Sequence, residues 1–154
     1  MFALGAGAIH AATIRYESTV SALFGAAFVA MAVGQIGWFV LVTTFPRKWI
    51  ALAGILGNAA VIGIWALTRT VGAPVGPYAS TPLPVGFPDA VATTLEGLAV
   101  VAGTGALALS RRARTVSAPV RSGIVVAAYV ITVPLATLAV LAQTGVLASL
   151  PAST

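Results

Sequence analysis

Only a few side chains in this sequence could do chemistry. The chain has three acids, Glu17, Asp89 and Glu96, one histidine, His10, and no cysteine. The lack of cysteine excludes disulfides, thiolate metal sites and cysteine nucleophiles. His10 and Glu17 are seven residues apart, so they share one face if a continuous helix carries both. Any site in this protein must therefore be built from imidazole, carboxylate and neutral polar groups.

A metal site is one alternative for these residues. His10, Glu17 and Glu96 could together bind iron, zinc or copper, because imidazole and carboxylate groups are ligands for these metals. Helical bundles build such sites from facing helices. The residues lack a short-range motif such as Glu-x-x-His, so the metal site is an alternative and not the main interpretation. A quinone site near Trp65, Arg69 and Glu96 is another.

An ion pair is the main expectation for the acid at depth. Glu96 lies about two turns, roughly 10 Å, below the start of a predicted helix at Asp89. An ionisable group at such depth in a membrane usually faces the bundle interior or a cavity. Arg69 is the available counter-charge, paired with Glu96 or with Asp89. A ligand or proton site built on Glu96 is the alternative to this structural pair.

Four long apolar stretches must position these side chains. They cover roughly residues 18–45, 49–67, 89–110 and 122–150, and about 20 apolar residues suffice to cross the hydrocarbon core of a bilayer. The chain is 59% hydrophobic and 7% charged, with a mean hydropathy of +1.04. These features predict an all-α polytopic membrane protein, a single transmembrane domain over 1–154 with four spans in an antiparallel bundle. A short apolar N-terminal helix, interfacial or part-inserted, and a Pro/Gly-rich outer loop complete the expected fold.

The basic residues predict an orientation. Six of the eight Lys and Arg residues lie in the segments 46–48 and 111–121, and Arg15 and Arg69 lie on the other side. Short loops rich in Lys and Arg stay cytoplasmic. We therefore expect a bacterial inner-membrane protein with loops 46–48 and 111–121 in the cytoplasm and both termini outside. Orientation and contact with anionic lipid headgroups explain the net charge of +5 without nucleic acid.

Two patterns within the spans predict contacts between helices. Gln35 and Asn58 lie at similar distances from the turn at 46–48, about 16 Å, so we expect them to hydrogen-bond across the first helical hairpin. Small side chains recur at every fourth residue of the first span, and such stripes let helices approach closely in lipid. The stripe predicts a contact with a helix of this chain or of another subunit; its members are Ser18, Ala22, Ala26, Ala30 and Gly34.

The segment between the second and third spans carries a resemblance. It reads Trp65-x-x-Thr68-Arg69-Thr70-x-Gly72-x-Pro74-x-Gly76-Pro77, followed by Pro84-x-Gly86. This pattern resembles a group of uncharacterised small four-helix integral membrane proteins of high-GC bacteria, over about two thirds of the chain. The resemblance implies the four-span topology and a bacterial membrane. It implies no activity.

The function expected from the sequence is that of a non-catalytic accessory or structural subunit of a larger membrane complex, for example a respiratory or metal-containing oxidase or monooxygenase. The chain leaves no room for a soluble domain and has no strong catalytic constellation, so an enzyme is not expected. The expected partners are the lipid bilayer and other membrane subunits. The alternatives are an outer-facing His/carboxylate metal or quinone site, and a small homo-oligomeric transporter.

Overall fold

The computed structural model describes residues 1–109 and 118–145 of the 154-residue chain. The basic residues Arg111, Arg112 and Arg114 and the segment 146–154 lie outside the described residues. The described part folds into five α-helices and contains no β-strand. In chain order the helices are α1 Phe2–Val20, α2 Ala22–Thr44, α3 Lys48–Thr70, α4 Phe87–Leu109 and α5 Ala118–Gln143.

Four of these helices, α2 to α5, are long and apolar enough to cross a membrane. Their spanning segments contain 22 or 23 residues, which corresponds to about 33 Å at 1.5 Å per residue and matches a hydrocarbon core of about 30 Å. The prediction of an all-helical, four-span membrane protein is confirmed. Most large apolar side chains on these helices are exposed, as expected where lipid takes the place of water.

The first helical boundary differs from the sequence prediction. A continuous span over 18–45 was expected, but α1 ends at Val20 and α2 begins at Ala22. Ser21 between them has an extended backbone, with φ −161° and ψ 135°, and its side chain accepts a hydrogen bond from the Leu23 N–H at 3.2 Å. Serine is a good N-cap because its hydroxyl satisfies a free N–H of the first turn. Helix α2 therefore starts anew at Ser21 and folds back along α1.

This break separates residues that were expected to share one helix. Glu17 and Ser18 belong to α1, whereas Ala22, Ala26, Ala30 and Gly34 belong to α2. Ser18 packs against Gly25 in the hairpin, and the other four members of the small-residue stripe are exposed. The predicted stripe is therefore interrupted between Ser18 and Ala22, and its α2 part has no partner helix within the described residues.

Helix α1 lies inside the bundle, packed against α2, α4 and α5, which agrees with the part-inserted helix of the two alternatives expected. Small residues make this position available. Ala6 is fully buried, and a Cβ added at Gly5 would lie 2.6 Å from Thr132 Cγ2 and 3.0 Å from Leu95 Cδ1. Close contacts between helices in lipid depend on residues of this size. The least apolar of the helices is thus the one most enclosed by its neighbours.

The two ends of the bundle can be named by their connections: the turn end carries 45–47 and the loop end carries 71–86. Gly7 contacts Gln35 and Ile36 of α2, whereas Ser18 contacts Gly25. Helix α1 therefore runs antiparallel to α2 and begins near the turn end. The sequence placed the N-terminus on the loop side, so the structure differs from that expectation; the side of the membrane that each end faces stays a prediction.

The inserted position of α1 can be tested at Gly5. We expect Gly5→Leu to destabilise the protein by about 1–3 kcal/mol, because the new side chain overpacks the contact with Leu95 and Thr132. The control is Gly37→Leu on α2, where an added Cβ meets nothing within 4 Å. Thermal unfolding in detergent should show a lower Tm for the first variant only. Equal Tm values for the two variants would contradict the packing of α1 described above.

Candidate functional site

The centre of the bundle holds a buried polar cluster around the Glu96 carboxylate. Glu96 is 1% exposed, and its Oε1 lies 2.9 Å from His10 Nε2 and accepts a hydrogen bond of 2.7 Å from Gln35 Nε2. The three residues come from α4, α1 and α2. A buried carboxylate is stable only when it is paired and hydrogen-bonded, and here two helices supply the partners.

The cluster extends to α3 through a weaker contact. Gln35 Nε2 is 3.4 Å from Asn58 Oδ1, and Asn58 Nδ2 donates to the Gly54 carbonyl at 2.8 Å. Gln35 and Asn58 are both buried. The structure thus brings the predicted pair together, but the shorter hydrogen bond of Gln35 is the one to Glu96. The Gln35 Oε1 is buried and has no hydrogen-bond partner.

A second polar group lies at the loop end of the bundle. Arg69 Nη2 forms a 2.7 Å ion pair with Asp89 Oδ2, which is one of the two pairings expected from the sequence. The guanidinium carbon also lies 6.0 Å from the centre of the Trp65 ring. Arg69 Nε and Trp65 Nε1 are both buried without a hydrogen-bond partner. Two adjacent N–H donors on α3 are therefore left unsatisfied.

These two polar groups line one cavity of about 660 Å³. The cavity lies between the loop-end halves of α2 and α3, which contact each other little. Its volume falls in the range of about 300–1,000 Å³ that is typical of small-molecule sites. Its polar lining is contributed by His10, Glu17, Thr68, Arg69, Asp89, Thr93 and Glu96, and its aromatic lining by Tyr16, Phe24, Phe28, Trp65 and Tyr78.

The loop 71–86 covers the loop end of this cavity. Tyr78 stacks on Phe24 with ring centres 5.9 Å apart and an angle of 18° between the planes. The loop turns back on itself at Gly76, where φ is +91°, a conformation that glycine adopts without steric cost. The Leu83 N–H donates to the Thr68 carbonyl at 3.0 Å and so ties the loop to the end of α3. The apolar loop thus forms one wall of the cavity.

The charges around the cavity favour a neutral ligand over an anionic one. Three carboxyl groups, those of Glu17, Asp89 and Glu96, line it, together with Arg69 and the imidazole of His10. Arg69 is already paired with Asp89. An anionic ligand would lie near three carboxyl groups, whereas the positive charge of Arg69 is already paired, and like charges repel strongly in a medium of low dielectric. The buried side-chain groups at this site that lack a hydrogen-bond partner within the described residues are the N–H donors Trp65 Nε1 and Arg69 Nε.

The structure brings only part of the predicted metal set together. His10 and Glu96 are adjacent, but the described residues contain no group of three or more His, Cys, Asp or Glu side chains that could hold a metal ion. Glu17 lines the cavity without a hydrogen bond to His10 or Glu96. A metal at His10, Glu17 and Glu96 stays a prediction, and it would require the cluster to rearrange.

The sequence placed His10 with Glu96 only as ligands of the alternative metal site and did not predict their direct hydrogen bond. His10 was expected in a shallow helix, and Arg69 was taken as the counter-charge of Glu96 or of Asp89. One signal could have revealed it: the glycines and alanines on either side of His10 match a helix packed inside a bundle, and a lone imidazole within such a helix needs a polar partner. Glu96 is the acid placed deepest in a predicted span.

The role of Glu96 can be tested by Glu96→Gln. The amide is close in shape but offers a weaker acceptor and brings its own N–H donors towards His10 and Gln35, so we expect a loss of about 1–3 kcal/mol of stability. Glu17→Gln is the control, since Glu17 is only half-buried. Thermal unfolding and metal analysis by mass spectrometry should be run together. A bound metal present in the native protein and lost in Glu96→Gln would contradict a structural role for the cluster.

Comparison with known protein families, curated proteins and solved structures gave no match to this chain.

Proposed function

We propose that this membrane protein binds an amphipathic small molecule of the quinone class in the loop-end cavity. The observation that carries the proposal is that Trp65 and Arg69 line a 660 Å³ cavity, while their Nε1 and Nε atoms are buried and have no hydrogen-bond partner. Leaving a buried donor without an acceptor costs about 1–3 kcal/mol. A ligand oxygen that accepts from either group would remove that cost.

The lining supports a ring-shaped, largely apolar ligand. Phe24, Phe28, Trp65 and Tyr78 offer aromatic surfaces, and aromatic rings stack favourably on one another in offset or edge-on geometry. A quinone carries two carbonyl acceptors on opposite sides of its ring. One carbonyl would meet the donors of α3, and the ring would lie against the aromatic wall. A fatty acid fits less well because its carboxylate would face the three carboxyl groups of the cavity.

The buried His10–Glu96 pair would lie beside the bound ring. His10 and Glu96 both line the cavity, although both side chains are largely buried. An imidazole that carries a proton on both nitrogens can donate to Glu96 and to a ligand carbonyl at once, whereas the Glu96 carboxylate only accepts. The pair would therefore orient the ring by hydrogen bonding. No electron transfer is part of this proposal, and the expectation that the chain is not an enzyme is kept.

The donor on Trp65 provides the first test. We expect Trp65→Phe, which keeps an aromatic ring but removes the N–H, to raise the Kd for a short-chain quinone about three- to tenfold, as for the loss of one hydrogen bond of ~0.5–1.5 kcal/mol. The protein would be held in lipid nanodiscs, and retained quinone would be quantified by mass spectrometry against empty nanodiscs.

The matched control is Trp49→Phe. Trp49 is on the same helix at the turn end, is 64% exposed and does not line the cavity. Its replacement should leave the Kd unchanged. No retention above that of empty nanodiscs by the native protein would overturn the proposal, as would equal Kd values for the native protein and Trp65→Phe.

An accessory subunit of a larger membrane complex is the second candidate function, and one observation favours it. The α2 part of the small-residue stripe, Ala22, Ala26, Ala30 and Gly34, is exposed. Small residues on a lipid-facing helix allow another helix to approach closely. A helix of a second membrane protein could therefore pack along this face.

This candidate is tested by Ala26→Leu. The larger side chain should block close approach of a partner helix, so we expect proteins that co-purify with the native chain in mild detergent to be lost from the variant. Val29→Leu is the control, because Val29 is an exposed α2 residue outside the stripe. Migration of the native protein near its own mass on a native gel would refute the candidate.

A further inference from the structure

A second depression, the α2–α3 groove, continues the gap between α2 and α3 towards the turn end. It has a volume of about 270 Å³ and is lined by Ala30, Gly34, Gln35, Gly54, Gly57 and Asn58, together with Met31 and Val61. This groove is not part of the loop-end cavity proposed to bind the quinone ring. Its surface is almost entirely apolar because glycine and alanine make up half of its lining residues and Met31 and Val61 add apolar side chains.

The groove is continuous with the loop-end cavity. Met31 of α2 and Val61 of α3 line both spaces, so the two meet at this pair of side chains. From Gly54 to Val61 the groove follows eight residues of α3, a length of about 10 Å. An occupant of the cavity that carries a narrow chain could therefore extend past Met31 and Val61 into the groove.

We infer that the groove binds the prenyl tail of the ligand whose ring occupies the loop-end cavity. The inference rests on the proposed quinone binding and adds the part of the ligand that would distinguish a prenylated quinone from a free ring. The chemistry of the two spaces sets the orientation of the ligand. Its ring lies at the loop end, where the polar donors are, and its tail lies towards the turn end, where glycines line the groove.

The side chains of the groove leave space that the protein does not fill. A Cβ added at Gly34 or at Gly57 would meet nothing within 4 Å. The polar side chains at its base are turned to other partners, Gln35 Nε2 to Glu96 and Asn58 Nδ2 to the Gly54 carbonyl. The buried Gln35 Oε1 has no hydrogen-bond partner among the described residues.

A hydrocarbon chain suits this space better than a helix does. The groove holds about 270 Å³, which accommodates part of a hydrocarbon chain inside it, whereas a partner helix could only cover its opening at Ala30 and Gly34. Lipid is as apolar as the groove, so the tail gains packing contacts and no hydrophobic driving force. The expected gain in affinity from the tail is therefore modest, and the position of the bound tail is the more discriminating measurement.

The experiment uses two quinones with the same ring, one with a prenyl tail and one with a methyl group in its place. Affinities are measured in nanodiscs as mole fractions in lipid, and we expect the tailed quinone to bind the native protein about tenfold more tightly. Gly57→Leu fills the groove and should abolish this difference while leaving the affinity for the methyl quinone unchanged. Gly63→Leu is the control: it lies on the same helix, has open space around its Cβ and lines neither space.

A photoreactive group at the end of the tail shows where the bound tail lies in the protein. Labelling of the segments 30–35 and 54–61, lost in Gly57→Leu and kept in Gly63→Leu, is the expected result. If the methyl quinone binds but the tail labels lipid or another part of the chain, the inference is overturned and the proposed function stands. If neither quinone is retained by the native protein, the proposed function itself fails.

Discussion

The burial of one carboxylate, that of Glu96, is the constraint on which the rest of this structure depends. An ionisable group 1% exposed within an apolar bundle is expensive unless other groups solvate it, and removing one partner of a buried pair typically costs about 3–5 kcal/mol. The protein provides His10 from α1 and Gln35 from α2, both with nitrogen atoms within 2.9 Å of the same oxygen. Three helices are thereby tied to one atom, and Asn58 adds the fourth through Gln35.

This requirement explains why the least apolar helix is in the middle. To deliver His10 to Glu96, α1 must enter the bundle, and it can do so because Gly5, Ala6 and Gly7 present almost no side-chain volume to α2, α4 and α5. The extended backbone at Ser21 turns the chain within one residue, so α2 can run back along α1. With α1 packed against one side of α2, the other side of α2 stands apart from α3 beyond their shared turn. That gap is the cavity and the groove, so the cluster and the proposed binding site have one structural origin.

The sequence predicted the fold class well because hydrophobic length is a strong, local signal. Helices α3 and α4 begin and end within three residues of the predicted spans 49–67 and 89–110. The boundary at Ser21 was missed because the predicted span began at Ser18, three residues before it, and no proline or glycine marks the turn. The contacts of Gln35 with Asn58 and of Arg69 with Asp89 follow from helix geometry near a connection and were foreseeable. The contact of His10 with Glu96 joins residues 86 positions apart on helices that are not consecutive, and periodicity within one helix carries no information about such a pairing.

The measurement that tests the account most directly is the distance between His10 and Glu96 in a lipid bilayer. The chain contains a single histidine, so ¹⁵N-labelled histidine marks His10 alone, and Glu17→Gln leaves Glu96 as the sole glutamate to carry a ¹³C label at its carboxyl carbon. Solid-state NMR dipolar recoupling should then give a distance of about 4 Å or less from the ring nitrogen, as hydrogen bonding requires. Absence of measurable coupling would mean that His10 of α1 does not contact Glu96 of α4. The cluster, the cavity floor and the proposed binding site would then have to be abandoned.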